Sequence, residues 1–186
     1  MISILDLWMP IAVSSVAVFF ASFILHMVLT YHRADYKQLP REAETLAALR
    51  QAGVGPGYYM FPYSASSKEM GTPEMQEKFR QGPVGMITLR PSGRIGMGGY
   101  LVTWFAYLLL VGVFVAYLAG RTLGAGTQYL QVFRVAGTTA LMAYGIGPIV
   151  GSIWEGKPWS NTLRAVFDGA VYALLTAGCF GWLWPR

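Results

Sequence analysis

The chain has 186 residues, of which 54% are apolar and only 12% charged, with a mean hydropathy of +0.43 and a formal net charge of +5. A soluble domain carries about 25% charged residues, so these proportions exclude an ordinary soluble domain. The modest positive charge, with no basic and aromatic-rich patch apart from the apolar stretches, excludes a nucleic-acid partner. The single cysteine, Cys179, excludes an intrachain disulfide and a cysteine-based metal centre.

The charges are kept out of long windows. No Asp, Glu, Lys or Arg lies between Asp6 and Arg33, between Arg94 and Arg121, or between Asp168 and Arg186, and only Arg134 interrupts the stretch from Arg121 to Glu155. A hydrocarbon core roughly 30 Å thick takes about 20 helical residues, so these windows predict four membrane spans. We place them near 8–30, 99–120, 130–153 and 164–184. The partner this composition demands is the lipid bilayer.

The first span has no basic segment before it, too long an apolar run, and no small-x-small cleavage site after it, so it reads as a retained helix rather than a signal peptide. Ser15, Ser22, His26, Thr30 and Arg33 recur at helical spacing and predict one polar stripe down its length. Polar groups facing lipid cost free energy, so this stripe should face the other spans.

Residues 31–98 form a polar insert with its own punctuation. Residues 40–52, "PREAETLAALRQA", predict a short amphipathic helix starting at Pro40 and stopped by Gly53. "GVGPGYYMFPY" predicts a glycine-rich turn and a short aromatic strand. Thr72, Pro73 and Glu74 supply an N-cap, a first-turn proline and a first-turn acid for a helix ending at Gly82. "VGMITLR" predicts a second strand closed by the turn Pro91-Ser92-Gly93. With few large aliphatic residues, the insert is expected to rest on the membrane surface or on a partner.

The remaining spans carry small residues every fourth position: Gly112, Ala116 and Gly120 in the second, and Gly169, Ala173, Ala177 and Gly181 in the fourth. Such stripes let helix backbones approach closely. The third span holds "YGIGPIVG", where Gly145, Gly147 and Pro148 predict a kink.

Lys and Arg near the span ends divide seven against three: Arg33, Lys37, Arg41, Arg90, Arg94, Lys157 and Arg164 on one side, Arg121, Arg134 and Arg186 on the other. This places the insert in the cytoplasm and both termini outside. Tryptophans sit at both boundaries, with Trp8, Trp182 and Trp184 outside and Trp154 and Trp159 inside.

Chemistry concentrates in one half of the bundle. The uncharged stretch after Asp168 is short for a bilayer, which draws Asp168 to the cytoplasmic boundary at a depth similar to that of His26. The polar stripes of the first, third and fourth spans then meet in a cluster of His26, Tyr144, Ser152, Glu155, Asp168 and Tyr172. A histidine beside a carboxylate titrates near neutral pH, which suits a proton relay or binding pocket. The same groups also suit an interhelical hydrogen-bond network.

Other chemistries find less support. His26 and His32 are six residues apart, on nearly opposite faces of a continuous helix, so they are not expected to share a metal or a haem. The glycine-rich "GVGPG" and "GRIGMGG" lack a following Lys-Ser/Thr and do not read as phosphate loops. Met70, Met75, Met86 and Met97 read as packing rather than a copper site. Arg134 reads as a snorkelling side chain. No catalytic residue, metal site or cofactor is expected.

Six stretches, "HMVLTYHRADYKQLP", "EMGTPEMQEKFRQGPVG", "AYLAGRTL", "QVFRVAGT", "SIWEGKPWS" and "DGAVYALLTAGCFGWLWP", resemble an uncharacterised family of bacterial four-span inner-membrane proteins. The resemblance implies a bacterial inner-membrane location, and it assigns no activity.

The expected fold is an all-α membrane protein of four transmembrane helices with a small mixed α/β cytoplasmic insert between helices 1 and 2. Its parts are 1–30, the insert 31–98, and a three-helix block 99–186. The leading functional expectation is a non-enzymatic scaffold or accessory subunit of a membrane complex. It would contact other membrane proteins, or further copies of itself, through the small-residue grooves and the insert. The alternative is a small proton-linked transporter or channel component using His26 and Asp168.

Overall fold

A computed structural model describes residues 2–93 and 96–186. Arg94, one of the basic residues used for orientation above, lies outside the described residues. Among the described residues, four helical segments are long and apolar enough to cross a membrane: Ile4–Val28, Met97–Thr122, Tyr129–Trp154 and Trp159–Trp182. With the insert they give the all-α four-span architecture with a small α/β element between the first and second spans.

The first span opens with a 3-10 turn, Ile4–Leu7, held by a reciprocal cap. The Ser3 hydroxyl accepts from the Leu5 N–H and the Asp6 carboxylate accepts from the Ser3 N–H. Helix α1, Trp8–Phe23, follows, with Pro10 in its first turn, where its missing N–H costs little. Ser14 and Ser15 are buried, and both hydroxyls donate to the Ile11 carbonyl, at 3.1 and 2.8 Å. The helix then widens into a π-turn, Ile24–Val28, closed by the Leu29 N–H on the Ile24 carbonyl. Leu29 is extended, and a 3-10 turn follows at Tyr31–Asp35. The polar stripe expected to run through Thr30 and Arg33 therefore leaves helical geometry at Val28.

The second span is one helix. The third is divided into two helices, Tyr129–Leu141 and Pro148–Trp154, by a π-turn at Met142–Ile146. Pro148 carries no N–H to bond back into this turn, so the widened turn ends where the proline begins. The fourth span is continuous over Trp159–Trp182.

Short loops at 123–128 and 155–158 make the last three spans antiparallel neighbours. The first span packs against the second and fourth, and the third against the second and fourth, which closes the ring of four. At one end the Ile2 N–H donates to the Gly120 carbonyl and the Trp184 indole to the Gly124 carbonyl. At the other end the first span stops and the fourth begins. Leu7, Val18, Leu108, Val115, Val132 and Phe180 are fully enclosed, while Phe20, Phe114, Leu174 and Trp182 face outward as a lipid-facing surface does.

The small-residue stripes are occupied by the chain's own helices. A Cβ on Gly112 would lie 3.0 Å from an Ile11 methyl, and one on Gly181 would lie 2.7 Å from the Tyr129 ring. One on Gly169 would lie 2.5 Å from the Gly145 Cα. Ala116, Ala173 and Ala177 are buried alongside. These grooves hold the bundle together and are not open to a partner.

Residues 37–93 belong to a separate compact unit. Its first helix, α2, is Glu42–Gln51, starting after Arg41, which lies in the left-handed region at φ 52°, and followed by Gly53 at φ 66°. It begins two residues later than the start expected at Pro40. Strands β1, Gly57–Phe61, and β2, Gly85–Leu89, pair antiparallel with Gly57 opposite Leu89 and Phe61 opposite Gly85. Between them lie a one-turn helix, Ser67–Met70, and a helix over Pro73–Gln81 capped by the Thr72 hydroxyl on the Met75 N–H. Met75 is the buried apolar residue of this unit among the described residues.

Candidate functional site

The break after Val28 builds the site. Because Leu29 is extended and the chain coils again at Tyr31, His32 is carried back toward the bundle. Its ring stacks on that of His26, with centroids 4.2 Å apart and planes inclined by 13°. The expectation that the two histidines point to opposite faces assumed an uninterrupted helix, and the structure corrects it.

Both imidazoles meet Asp168 on the fourth span, which is 3% exposed. His32 Nε2 lies 2.8 Å from Asp168 Oδ2, and His26 Nε2 lies 3.6 Å from the same oxygen. The Tyr31 hydroxyl donates to Asp168 Oδ1. His32 Nδ1 is 2.5 Å from Asp35 Oδ2, and Asp35 Oδ1 accepts from Arg164 Nη1 at 2.5 Å. Asn161 closes the circuit by donating its amide to the Asp35 carbonyl at 3.0 Å.

Protonation is set by these partners. An ionised carboxylate only accepts, so between two such groups a charged His32 donates from both nitrogens. Burial opposes that charge, but the hydrogen bonds and negative charges of Asp35 and Asp168 outweigh it and hold the His32 pKa above the ordinary imidazole value. For Asp35, burial favours the neutral acid, while the bonds from His32 and Arg164 outweigh it and lower its pKa. Burial and the Asp168 carboxylate together push the Tyr31 phenol well above its usual range, so it remains a donor. The cations that face Asp35 are thus Arg164 and, when protonated, His32.

His26 differs because it is half exposed. Its Nδ1 is 3.1 Å from the Ser22 carbonyl, to which it can only donate, so in the neutral ring the lone pair sits on Nε2, toward Asp168. Ser22 is itself anchored: its hydroxyl donates to the Phe19 carbonyl and accepts from the Trp104 indole at 3.0 Å.

His26 and Asp168 border a cavity of about 470 Å³ walled by Phe23, Leu101, Trp104, Tyr144 and Pro148. Tyr172 lines the same cavity. Its hydroxyl is the one buried side-chain polar atom without a hydrogen-bond partner among the described residues. Tyr144 packs edge-on against Tyr172, with centroids 5.7 Å apart. Replacing Tyr172 with Phe removes an unpaired buried donor, so it is expected to leave stability unchanged or raise it by about 1 kcal/mol, measured by thermal melting in detergent.

The structure therefore gathers His26, Asp168, Tyr144 and Tyr172. Ser152 and Glu155 are engaged elsewhere: Ser152 Oγ lies 2.5 Å from Thr162 Oγ1, and Glu155 pairs with Lys157 at 3.0 Å. The π-turn at Met142–Ile146 adds a residue to the third span, which rotates the face beyond it by about 100° relative to a regular helix. Gly145 lies within this turn and Gly147 follows it, and Gly145 is the contact point of Gly169. Helical periodicity does not bring Tyr31, His32 and Asp35 into the cluster, and it offers Arg164 only as a neighbour of Asp168. The signal for them is "YHRAD" itself, a run of chemistry-bearing residues just past the span.

No protein-family model, curated protein or solved structure matches the chain.

Proposed function

We propose that the protein is a small transporter or channel component that works by binding a cation, in its simplest form a proton, at the His26/Asp168 cluster. One observation carries this reading. A buried carboxylate on a membrane span faces two imidazoles, and one of them, His26, borders a cavity beside it. Ionisable groups inside a bundle are costly, and where they occur they commonly mark ion pathways. We further propose, from the distribution of basic residues and the family resemblance, a bacterial inner membrane with the insert in the cytoplasm and both termini in the periplasm.

A scaffold or accessory role is the second reading. The small-residue grooves are filled internally, so that role rests on the insert, whose ribbon exposes Tyr58, Tyr59, Met60 and Phe61. In proteoliposomes, His26→Ala and Asp168→Asn are expected to reduce cation-coupled flux at least about tenfold while the protein stays folded. Unchanged flux in both folded variants, or no flux in the unaltered protein, sinks the transport reading.

A further inference from the structure

We propose that His26, His32 and Asp168 form a binding site for a divalent transition-metal ion of the zinc, cobalt or iron(II) kind. That such an ion is the cargo rests on the transport reading above; that it binds does not.

The donor set comes first. One ligand atom from each of the three residues lies within 4.8 Å of the others. The two histidine Nε2 atoms lie 2.8 and 3.6 Å from Asp168 Oδ2. Bonds of about 2.1 Å in a tetrahedral arrangement separate donor atoms by about 3.4 Å, a value between these two. The parallel stack of the imidazoles means that binding requires the exposed His26 ring to tilt, so that both lone pairs reach one ion.

The outer contacts come second. A metal-bound histidine almost always donates its other N–H to a carboxylate or a carbonyl. Both histidines do so here, His32 Nδ1 to Asp35 and His26 Nδ1 to the Ser22 carbonyl. Asp168 is held in turn by Tyr31, and Asp35 by Arg164. Each of the three ligands thus has its orienting partner in place, and the partners leave Nε2, not Nδ1, as the donor on both rings.

Charge and coordination number then select the ion. Asp35 is neutralised by Arg164, so the site offers two imidazoles and one carboxylate. Magnesium and calcium prefer all-oxygen shells, whereas imidazole suits zinc, iron and cobalt. Three protein ligands leave a coordination position open, as in exchangeable rather than closed structural sites. Asp168 and His26 border the cavity, which leaves room on that side for a water or anion completing the shell. A metal occupies the same lone pairs as protons do, so loading the site displaces protons.

The test uses the full chain, purified in detergent and titrated with cobalt(II). The expected result is one equivalent bound, with visible ligand-field bands that are displaced by zinc and not by magnesium. His26→Ala, His32→Ala and Asp168→Asn should each weaken binding at least about tenfold. Asp35→Asn should weaken it by about 10-fold while keeping the stoichiometry, as expected for an orienting partner. Half-exposed His26 can be replaced without emptying the core, so a folded variant is available. The absence of ligand-field bands, or affinity unchanged in folded His26→Ala, overturns the site. If cobalt binds as expected and proteoliposomes show no cation flux, the metal site stands and the transport reading falls. If flux depends on His26 and Asp168 and cobalt does not bind, the metal site falls and the proton-linked reading stands.

Discussion

Replacement of Asp168 by alanine is expected to cost about 3–5 kcal/mol of stability, the largest loss for any single side-chain truncation in the cluster. The carboxylate is 3% exposed, and three groups converge on it: the Tyr31 hydroxyl, His32 Nε2 and His26 Nε2. Without it, His32 keeps Asp35 on one side and faces an apolar void on the other, and Tyr31 loses its acceptor. The 3-10 turn Tyr31–Asp35 should then detach from the fourth span. Thermal melting in detergent reads the overall loss, and hydrogen exchange at residues 31–35 reads the local one. Asparagine at the same position keeps an acceptor for Tyr31 and should cost less. A drop below about 1 kcal/mol for alanine would mean that the cluster contributes little to holding the turn.

Gly169→Leu should be at least as damaging, by an unrelated route. A Cβ at Gly169 would come within 2.5 Å of Gly145 Cα and 2.7 Å of Gly145 N, both backbone atoms that no rotamer change can move. The third and fourth spans would have to separate at their closest approach, with an expected cost of at least about 3 kcal/mol. Gly178→Ala, on the same helix, is the matched control. A Cβ there meets only the Tyr129 hydroxyl, at an ordinary contact distance of 3.8 Å, so the expected effect is neutral or slightly stabilising. Equal melting temperatures for Gly169→Leu and Gly178→Ala would refute the assignment of this contact.

Asp168 and Gly169 differ in how far each is legible in the sequence. Gly169 stands out because it begins a repeat of small residues at four-residue spacing, and a helix turns that spacing into one face. The occupant of the groove, Gly145 within the π-turn, stays hidden, because a repeat on one helix does not name its neighbour. Asp168 and His26 are legible as a pair from charge exclusion and depth. His32 is not, because the helical template places it on the far face from His26, and only a break in that template reverses the placement. Ser152 and Glu155 are drawn into the cluster by the same template, and they leave it where the widened turn rotates the last part of the third span.

The membrane class, the span count and the ordered insert were determined by the sequence alone, because the bilayer imposes a length and a polarity on any segment that crosses it. Those constraints act on each segment independently and can be read without knowing its neighbours. Which ionisable groups share a site was decided only by the tertiary structure. That choice depended on where two helices depart from ideal geometry, at Ile24–Val28 and at Met142–Ile146. One extra residue in a turn rotates everything beyond it by about 100°, and such a rotation leaves hydropathy unchanged while deciding which side chains meet.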